Sequence, residues 1–500
     1  MSERNLSREP ALALGSIQSD LLLNHSKKAE ALVFFTITDP AKFKQFVRGL
    51  PITSAAAVYR PVGEELAVAT GELPPNPRFG AAFTHAGLRA LRVASLETLT
   101  AAESALPFVQ GLAERAVTEL NDSDPRSWVV GRPKEDLHGV FIVTGAEEAD
   151  VDAGLRLHFH FATHIFHGYH VLETLRGNTR PGADEGREHF GFLDGISQPG
   201  IRGCVDAAQT KELTVTHPDA EPTQGLPGQD LLWPGEFVFG YPAQDRERRP
   251  DGSFPPFEEK GPVKTPPLPF MVNGAYLVVR RLRQLVPEMH AGTRREAQRV
   301  GLSPELVEAQ LVGRWPSGAP ILERPTADDP VLGADPVRNN DFEFEGDRLG
   351  LVCPWAAHIR KTYPRDDVPG NTTPVVNPDG SSPEVDSAEG FTQTHRMLRR
   401  GIQFGPEVTD AEERAKRTLE QRGLLFKCYV TDIADQFEFV QKQWANNPMF
   451  AQPRTGIDAI IGQVPGGDVR ELLGAASVAG DPSSKPTFKF QPWVEMTGGG

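Results

Sequence analysis

The chain is predicted to fold as an α+β protein built on antiparallel sheets. Three observations predict this: β-branched and aromatic runs of strand length, helix starts marked by capping residues and proline, and a second round of the same alternation beyond a proline-rich break. Residues 31–38 (ALVFFTIT) open as a strand, and Asp39-Pro40 behind it supplies a capping acceptor and a first-turn proline for a helix. Strands are expected over 138–145 (HGVFIVTG) and 169–176 (YHVLETLR), with a helix starting near Ala149 between them. From 218 to 270 the frequent prolines, Pro255-Pro256 and Pro266-Pro267 among them, argue against helix, and a long surface excursion between two domains is expected. Strand signals resume at 276–282 (YLVVRRL), and Ser303-Pro304 opens a helix that stops at Gly313. Thr409 and Glu412 form a capping pair for a helix predicted to end at Gly423. LLFKCYV at 424–430 reads as a buried strand, and Asp432 caps a further helix through Gln441 to Trp444.

Five hundred residues, 39% hydrophobic and 24% charged, fit ordinary globular usage and two to four domains of roughly 100–200 residues each. No stretch approaches the ~18 consecutive apolar residues of a membrane span, so no membrane partner is expected. Fifty-two basic against 67 acidic residues give a net charge of −15, a field that repels polyanions, so nucleic acid is not an expected partner. Cys204, Cys353 and Cys428 lie far apart without CxxC spacing, which excludes a disulfide framework and thiolate metal clusters. The first residues lack the sustained apolar core of a secretory signal. A cytoplasmic location is therefore expected, the alternative being secretion with the signal already removed.

His158, His160, His164, His167 and His170 place three imidazoles at helical spacing, as a metal site would. No carboxylate stands at ligand spacing among them, and interleaved Phe159, Phe161, Ile165 and Phe166 favour a half-buried helix with histidines on its wetter side. Three other segments carry sharper chemistry. In Gly191-Phe192-Leu193-Asp194-Gly195 one carboxylate is fixed in a tight apolar turn, either partly desolvated beside Phe192 and Leu193 or only part of an Asx-turn. In CPWAAHIRK, His358 stands beside Ala356 and Ala357, which leave room for a flat ligand, although a lone histidine is more often structural. MLRRGIQFG is a paired-arginine turn or a solvated loop.

In this order, GFLDGISQP, CPWAAHIRK and MLRRGIQFGPEV resemble the dye-decolorizing peroxidases, a class of b-type haem peroxidases, in their longer, fungal-like form. The resemblance runs from IQSDL at 17–21, through GREHFGFLDGISQP, to GIDAIIGQ at 456–463. It implies two ferredoxin-like domains arranged like the family's dimeric α+β barrel, residues 1–217 and 271–500, with 218–270 connecting them. One haem b per chain would be held mainly by the second. It also implies Asp194 as distal acid–base, Arg399 as distal arginine, His358 as axial iron ligand and Arg360 as partner of a haem propionate, with Leu424 and Phe426 shaping the distal pocket. The axial imidazole needs a carboxylate on its other nitrogen. Asp432 and Asp435 are already accounted for by a helix cap and first turn, whereas Asp458 lies in a segment similar to the family's GxDPIIGQ, its proline replaced by Ala459. The implied reaction reduces hydrogen peroxide to water through a ferryl porphyrin radical and oxidises phenols and aromatic dyes in one-electron steps. The alternative is a haem-binding or haem-transfer protein without turnover. Where the family commonly carries an electron-exit tyrosine after the distal arginine, this chain has Gln403 and Phe404. Trp444 becomes the candidate electron relay, the alternative being an aromatic packed within the fold.

Overall fold

The computed structural model describes residues 10–22, 27–58, 76–101, 103–159, 166–203, 205–206, 214–215, 224–247, 249–250, 259–367, 383–464 and 469–500. Two antiparallel sheets organise them. Strands β1 (Ala29–Ile37), β2 (Arg78–Phe83), β3 (Gly139–Gly145) and β4 (Tyr169–Asn178) form the first, in the order β2-β3-β1-β4. The register sets Val33 opposite Phe141 and Thr174. The second joins β5 (Tyr276–Gln284), β6 (Leu398–Arg399), β7 (Ile402–Phe404), β8 (Gly423–Val430) and β9 (Val494–Gly499), with β8 and β5 central and both β6 and β7 paired to β8. Neither sheet closes into a barrel among the described residues.

Burial explains the elements. On the outer face of the first sheet, Phe35, Phe141 and Tyr169 pack against helix α1 (Pro40–Arg48) through Phe43 and Phe46, and Val143 packs near helix α2 (Glu148–His158). As read from sequence, the Asp39 carboxylate accepts from Ala41 N and Lys42 N. The inner faces meet through Leu32, Phe34, Ile142 and Leu175 of the first sheet and Val279, Ile402, Phe404 and Leu425 of the second. Strand alternation then turns Arg280, Leu282, Leu424 and Phe426 to the far side of the second sheet, where they line a cavity.

Helices α3 (Val286–Val300) and α4 (Pro304–Val312) follow β5, and α4 ends at Gly313 in the left-handed region, φ 89°. Two elements differ from expectation. The helix capped by Thr409 and Glu412 stops at Ala415, not Gly423, because Glu412 collects Leu419 N, Glu420 N and the Arg422 guanidinium and folds the chain back. Part of the proline-rich segment is not the surface excursion expected: among its described residues, Leu231, Leu232, Phe237 and Val238 are buried against Ile17, Leu398 and Tyr429, while Pro255-Pro256 lie outside the described residues. Prolines suppress helix there without suppressing burial. Asp432 does cap the next helix, but residues Ile433–Glu438 and Val440–Ala445 adopt π-helical turns, a geometry common where backbones shape functional sites. No helix among the described residues is long and apolar enough to cross a membrane.

Candidate active site

Below β5 and β8 lies a cavity of about 410 Å³ whose lining includes Asp194, His358, Arg399, Leu424 and Phe426. His358 opens the short helix α5 (His358–Thr362) directly after Ala356 and Ala357, both fully buried. Its Nδ1 meets Asp458 Oδ2 at 2.8 Å. The other Asp458 oxygen accepts from Ile460 N and Ile461 N at 2.7 and 2.8 Å, so this buried carboxylate is fully oriented. Ala459 N donates to Ala356 O at 3.3 Å, a bond proline could not make, and it ties the two loops together. Burial alone would lower the His358 imidazole, but the Asp458 carboxylate outweighs it and the net shift is upward. Asp458, which burial would raise, is held below its ordinary value by His358 and the two backbone donors. With Nδ1–H donating to Asp458, Nε2 carries the lone pair that faces the cavity.

The second functional group is built by the turn at 186–198. Gly191 and Gly195 take φ of +99° and +82°, which lets the chain double back and present Asp194. Inside the turn, Glu188 accepts from Phe190 N and Phe192 N at 2.9 Å each and from Gln284. Asp194 N donates to Gly186 O at 3.0 Å, while Asp194 Oδ1 accepts from Gly195 N at 2.7 Å. Phe192 turns into the core, while the Asp194 side chain faces the cavity. Strand β6 brings Arg399 alongside: Gln198 brackets its peptide with bonds of 3.0 and 3.3 Å, and Arg399 Nη2 donates to Ser197 O. Burial lowers the Arg399 guanidinium from its ordinary value, opposed by Asp194.

Not every expected residue reaches the site. Arg360 is buried on the other side of α5, where all five donors are engaged by Asp367, Asp347 and the carbonyls of Asp347 and Cys353. Residues two apart on a helix point ~200° apart, so a helix that turns His358 to the cavity turns Arg360 away. Trp444 is 2% exposed, enclosed by Phe450, Phe439, His395 and Phe391, and therefore is not a surface exit for electrons. Phe404 is likewise buried between the sheets. Asp432 and Asp435 are occupied by helix capping and by Lys264 and Arg246. Of the histidine series, His160 and His164 lie outside the described residues. His158 and His167 pack on Phe79 and Phe46, and no cluster of three or more His, Cys, Asp or Glu able to hold a metal ion occurs among the described residues.

One residue of the cavity wall escaped the sequence reading. Arg314 is buried at the cavity wall, and its partners are all uncharged: Gly318 O, Asn339 O, Ser197 Oγ and Asn340 Oδ1. Burial, then neighbouring Arg365, push its guanidinium down to about 9. The signal was present, since Arg314 is the lone charged residue between 309 and 322. A buried cation without a carboxylate suits a cofactor that carries one, and His395, whose buried Nε2 lacks a partner, lines the same space.

The family profile described as the DyP dimeric alpha+beta barrel domain matches residues 16–181. The chain is 33% identical over 486 residues to a dye-decolorizing peroxidase of Mycena epipterygia, covering 92% of this chain and 77% of that protein. It is 34% identical over 471 residues to dye-decolorizing peroxidase AauDyP1 of Auricularia auricula-judae, covering 91% and 78%. Among solved structures, that of an ancestral D-type dye-decolorizing peroxidase superposes with a TM-score of 0.74 at 33% identity, covering 98% of this chain and 96% of the other.

Proposed function

Because the chain belongs to the dye-decolorizing peroxidase family, we propose that its cavity binds one haem b, with His358 Nε2 as the axial ligand and Arg314 toward a propionate. Haem, when bound, supplies the redox centre at which peroxide is reduced and from which aromatic donors are oxidised one electron at a time. One observation supports the assignment most: the His358–Asp458 pair and the Asp194–Arg399 group share one cavity without sharing a hydrogen bond. The first is arranged to hold an imidazole in one tautomer against a metal, and the second to work on a small ligand.

The residues divide the work. Asp458 fixes the imidazole plane and raises its basicity. Asp194 Oδ1 is held by Gly195 N, which leaves Oδ2 to take a proton from the near oxygen of hydrogen peroxide and deliver it to the far one. Arg399 offsets the charge that builds on the departing oxygen. Leu424 and Phe426 keep the space above apolar and small. Reducing partners are phenols and aromatic dyes. Residues 1–217 and 271–500 act as two domains, a division supported by two sheets that draw their strands wholly from 29–178 and 276–499. The buried free thiols Cys353 and Cys428 support a reducing, cytoplasmic compartment.

The test is the absorption spectrum of the haem-loaded protein before and after one equivalent of peroxide, for the parent, Asp194→Asn and Arg399→Leu. The parent spectrum shifts at once, and each variant shifts more slowly by ~10²–10³-fold, Arg399→Leu through loss of the group aimed at developing charge and Asp194→Asn through loss of the proton carrier. A parent spectrum that peroxide leaves unchanged overturns the reading.

A further inference from the structure

The chain has six tyrosines and six tryptophans, and among the described residues Tyr363 alone of these lines the cavity. It stands five positions beyond His358, just past the end of α5. Its hydroxyl donates to Asp230 Oδ2, which also accepts from Gln393 Nε2 at 2.6 Å and Arg396 Nη1 at 3.1 Å. The Arg396 guanidinium lies 3.5 Å from the centre of the Tyr363 ring and Arg365 lies 4.7 Å from it. Tyr363 and Asp230 are 7% and 6% exposed, so water does not mediate between them.

A buried phenol needs an acceptor, and an amide oxygen would satisfy it at less cost than a buried carboxylate. The carboxylate differs in being a base already in line with the phenolic O–H. The two guanidiniums impose a further condition. A ring flanked by cations resists becoming cationic itself, so it can lose an electron only if it loses its proton in the same step.

We propose that Tyr363 is a redox-active residue of the peroxidase cycle, giving one electron to the peroxide-oxidised haem and its phenolic proton to Asp230. The O–H bond of Tyr363 breaks and an O–H bond forms on Asp230 Oδ2, leaving a neutral phenoxyl radical beside a neutral acid. A phenol ArOH then returns the electron and Asp230 returns the proton. The products are Tyr363–OH, the Asp230 carboxylate, ArO• and one proton released to water. Tyr363 thereby holds an oxidising equivalent in the cavity wall, one step removed from the metal.

This inference rests on the peroxidase reading, and its test separates the two. Haem-loaded protein is mixed with one equivalent of peroxide and freeze-quenched for electron paramagnetic resonance, with absorption recorded in parallel, using protein grown with ordinary and ring-deuterated tyrosine. A tyrosyl signal that narrows on deuteration is expected in the parent. It is lost in Tyr363→Phe, which removes one oxygen atom, and in Asp230→Asn, and it returns in Asp230→Glu, while absorption responds to peroxide in all four. A peroxide-responsive parent without a tyrosyl signal, or a signal that survives Tyr363→Phe, overturns the role of Tyr363. Survival in Asp230→Asn overturns Asp230 as the proton acceptor. Absence of any absorption change in the parent overturns the peroxidase reading itself.

Discussion

At the scale of single residues, a side chain's partners decide its role more than its neighbours in sequence do. Asp458 is engaged on both oxygens, so Asp458→Asn keeps the shape of the loop but removes the charge opposite His358 Nδ1. Haem should remain bound and the iron's reduction potential should rise, measured by spectroelectrochemical titration. His189 gives a pH effect that does not depend on the cofactor. Burial lowers it to about 4, with one ring nitrogen on Phe404 O at 2.9 Å and the other unpartnered. Its folded pKa lies below its unfolded value near 6.5, so the unfolded chain takes up the proton first as pH falls. Stability should be unaffected above pH ~6.5 and decline by about 3 kcal/mol toward pH ~4, a slope that His189→Gln should flatten in denaturant titrations of the parent and variant. That Asp194, His358 and Arg399 meet at one cavity was legible only from three short runs taken together in order, since each run alone also fits a turn, a structural histidine or a solvated loop. Arg360 was misread because adjacency in sequence says nothing about which side of a helix a residue occupies.

Among elements, the π-helical turns at 433–445 show where sequence signals stop. The cap at Asp432 and the apolar spacing announce a helix, but the widened turns, and the burial of Trp444 that goes with them, depend on Phe391, His395 and Phe450 brought from elsewhere. Trp444→Phe should therefore lower turnover of small phenols and large dyes by the same factor, together with the melting temperature, in steady-state kinetics and calorimetry. A selective loss on large dyes would restore Trp444 as a relay. The strands were more legible. Runs such as ALVFF and LLFKCYV are buried over nearly their whole length, and continuous burial is what a continuous apolar run predicts. The helix after Thr409 was overextended because its end is set by Glu412 reaching forward to Arg422, at 2.8 Å, and no local residue pattern encodes that contact.

For the molecule as a whole, the two sheets were foreseen as a repeated α+β pattern, while the contact between them was not. Lys427, in the centre of the second sheet, is fully buried and binds Asp20 at 2.8 Å and Glu30 of β1. Without Lys427 the buried Asp20 and Glu30 carboxylates have only Lys27 to share, 3.9 and 3.2 Å away, which leaves one charge uncompensated, typically at a cost of about 3–5 kcal/mol. Lys427→Met should thus lower the unfolding free energy by that amount, read from denaturant midpoints, with little change in the slope. The strands of the first sheet and of the second are then lost together, because this cluster is shared by both.

The ion pairs around Arg360 bear on how the protein acquires its cofactor. Asp347, Asp367 and the Trp355 ring, 3.8 Å from the guanidinium, clamp the back of α5 without help from anything in the cavity. The wall that presents His358 is therefore assembled in advance, and an arriving porphyrin spends none of its affinity on ordering it. Reconstitution of the empty protein should then be a simple collision process, its observed rate climbing linearly with porphyrin concentration. Arg360→Met should release the helix into a population of closed and open forms, and the same plot should bend to a plateau set by the rate of helix closure, visible by stopped-flow absorption.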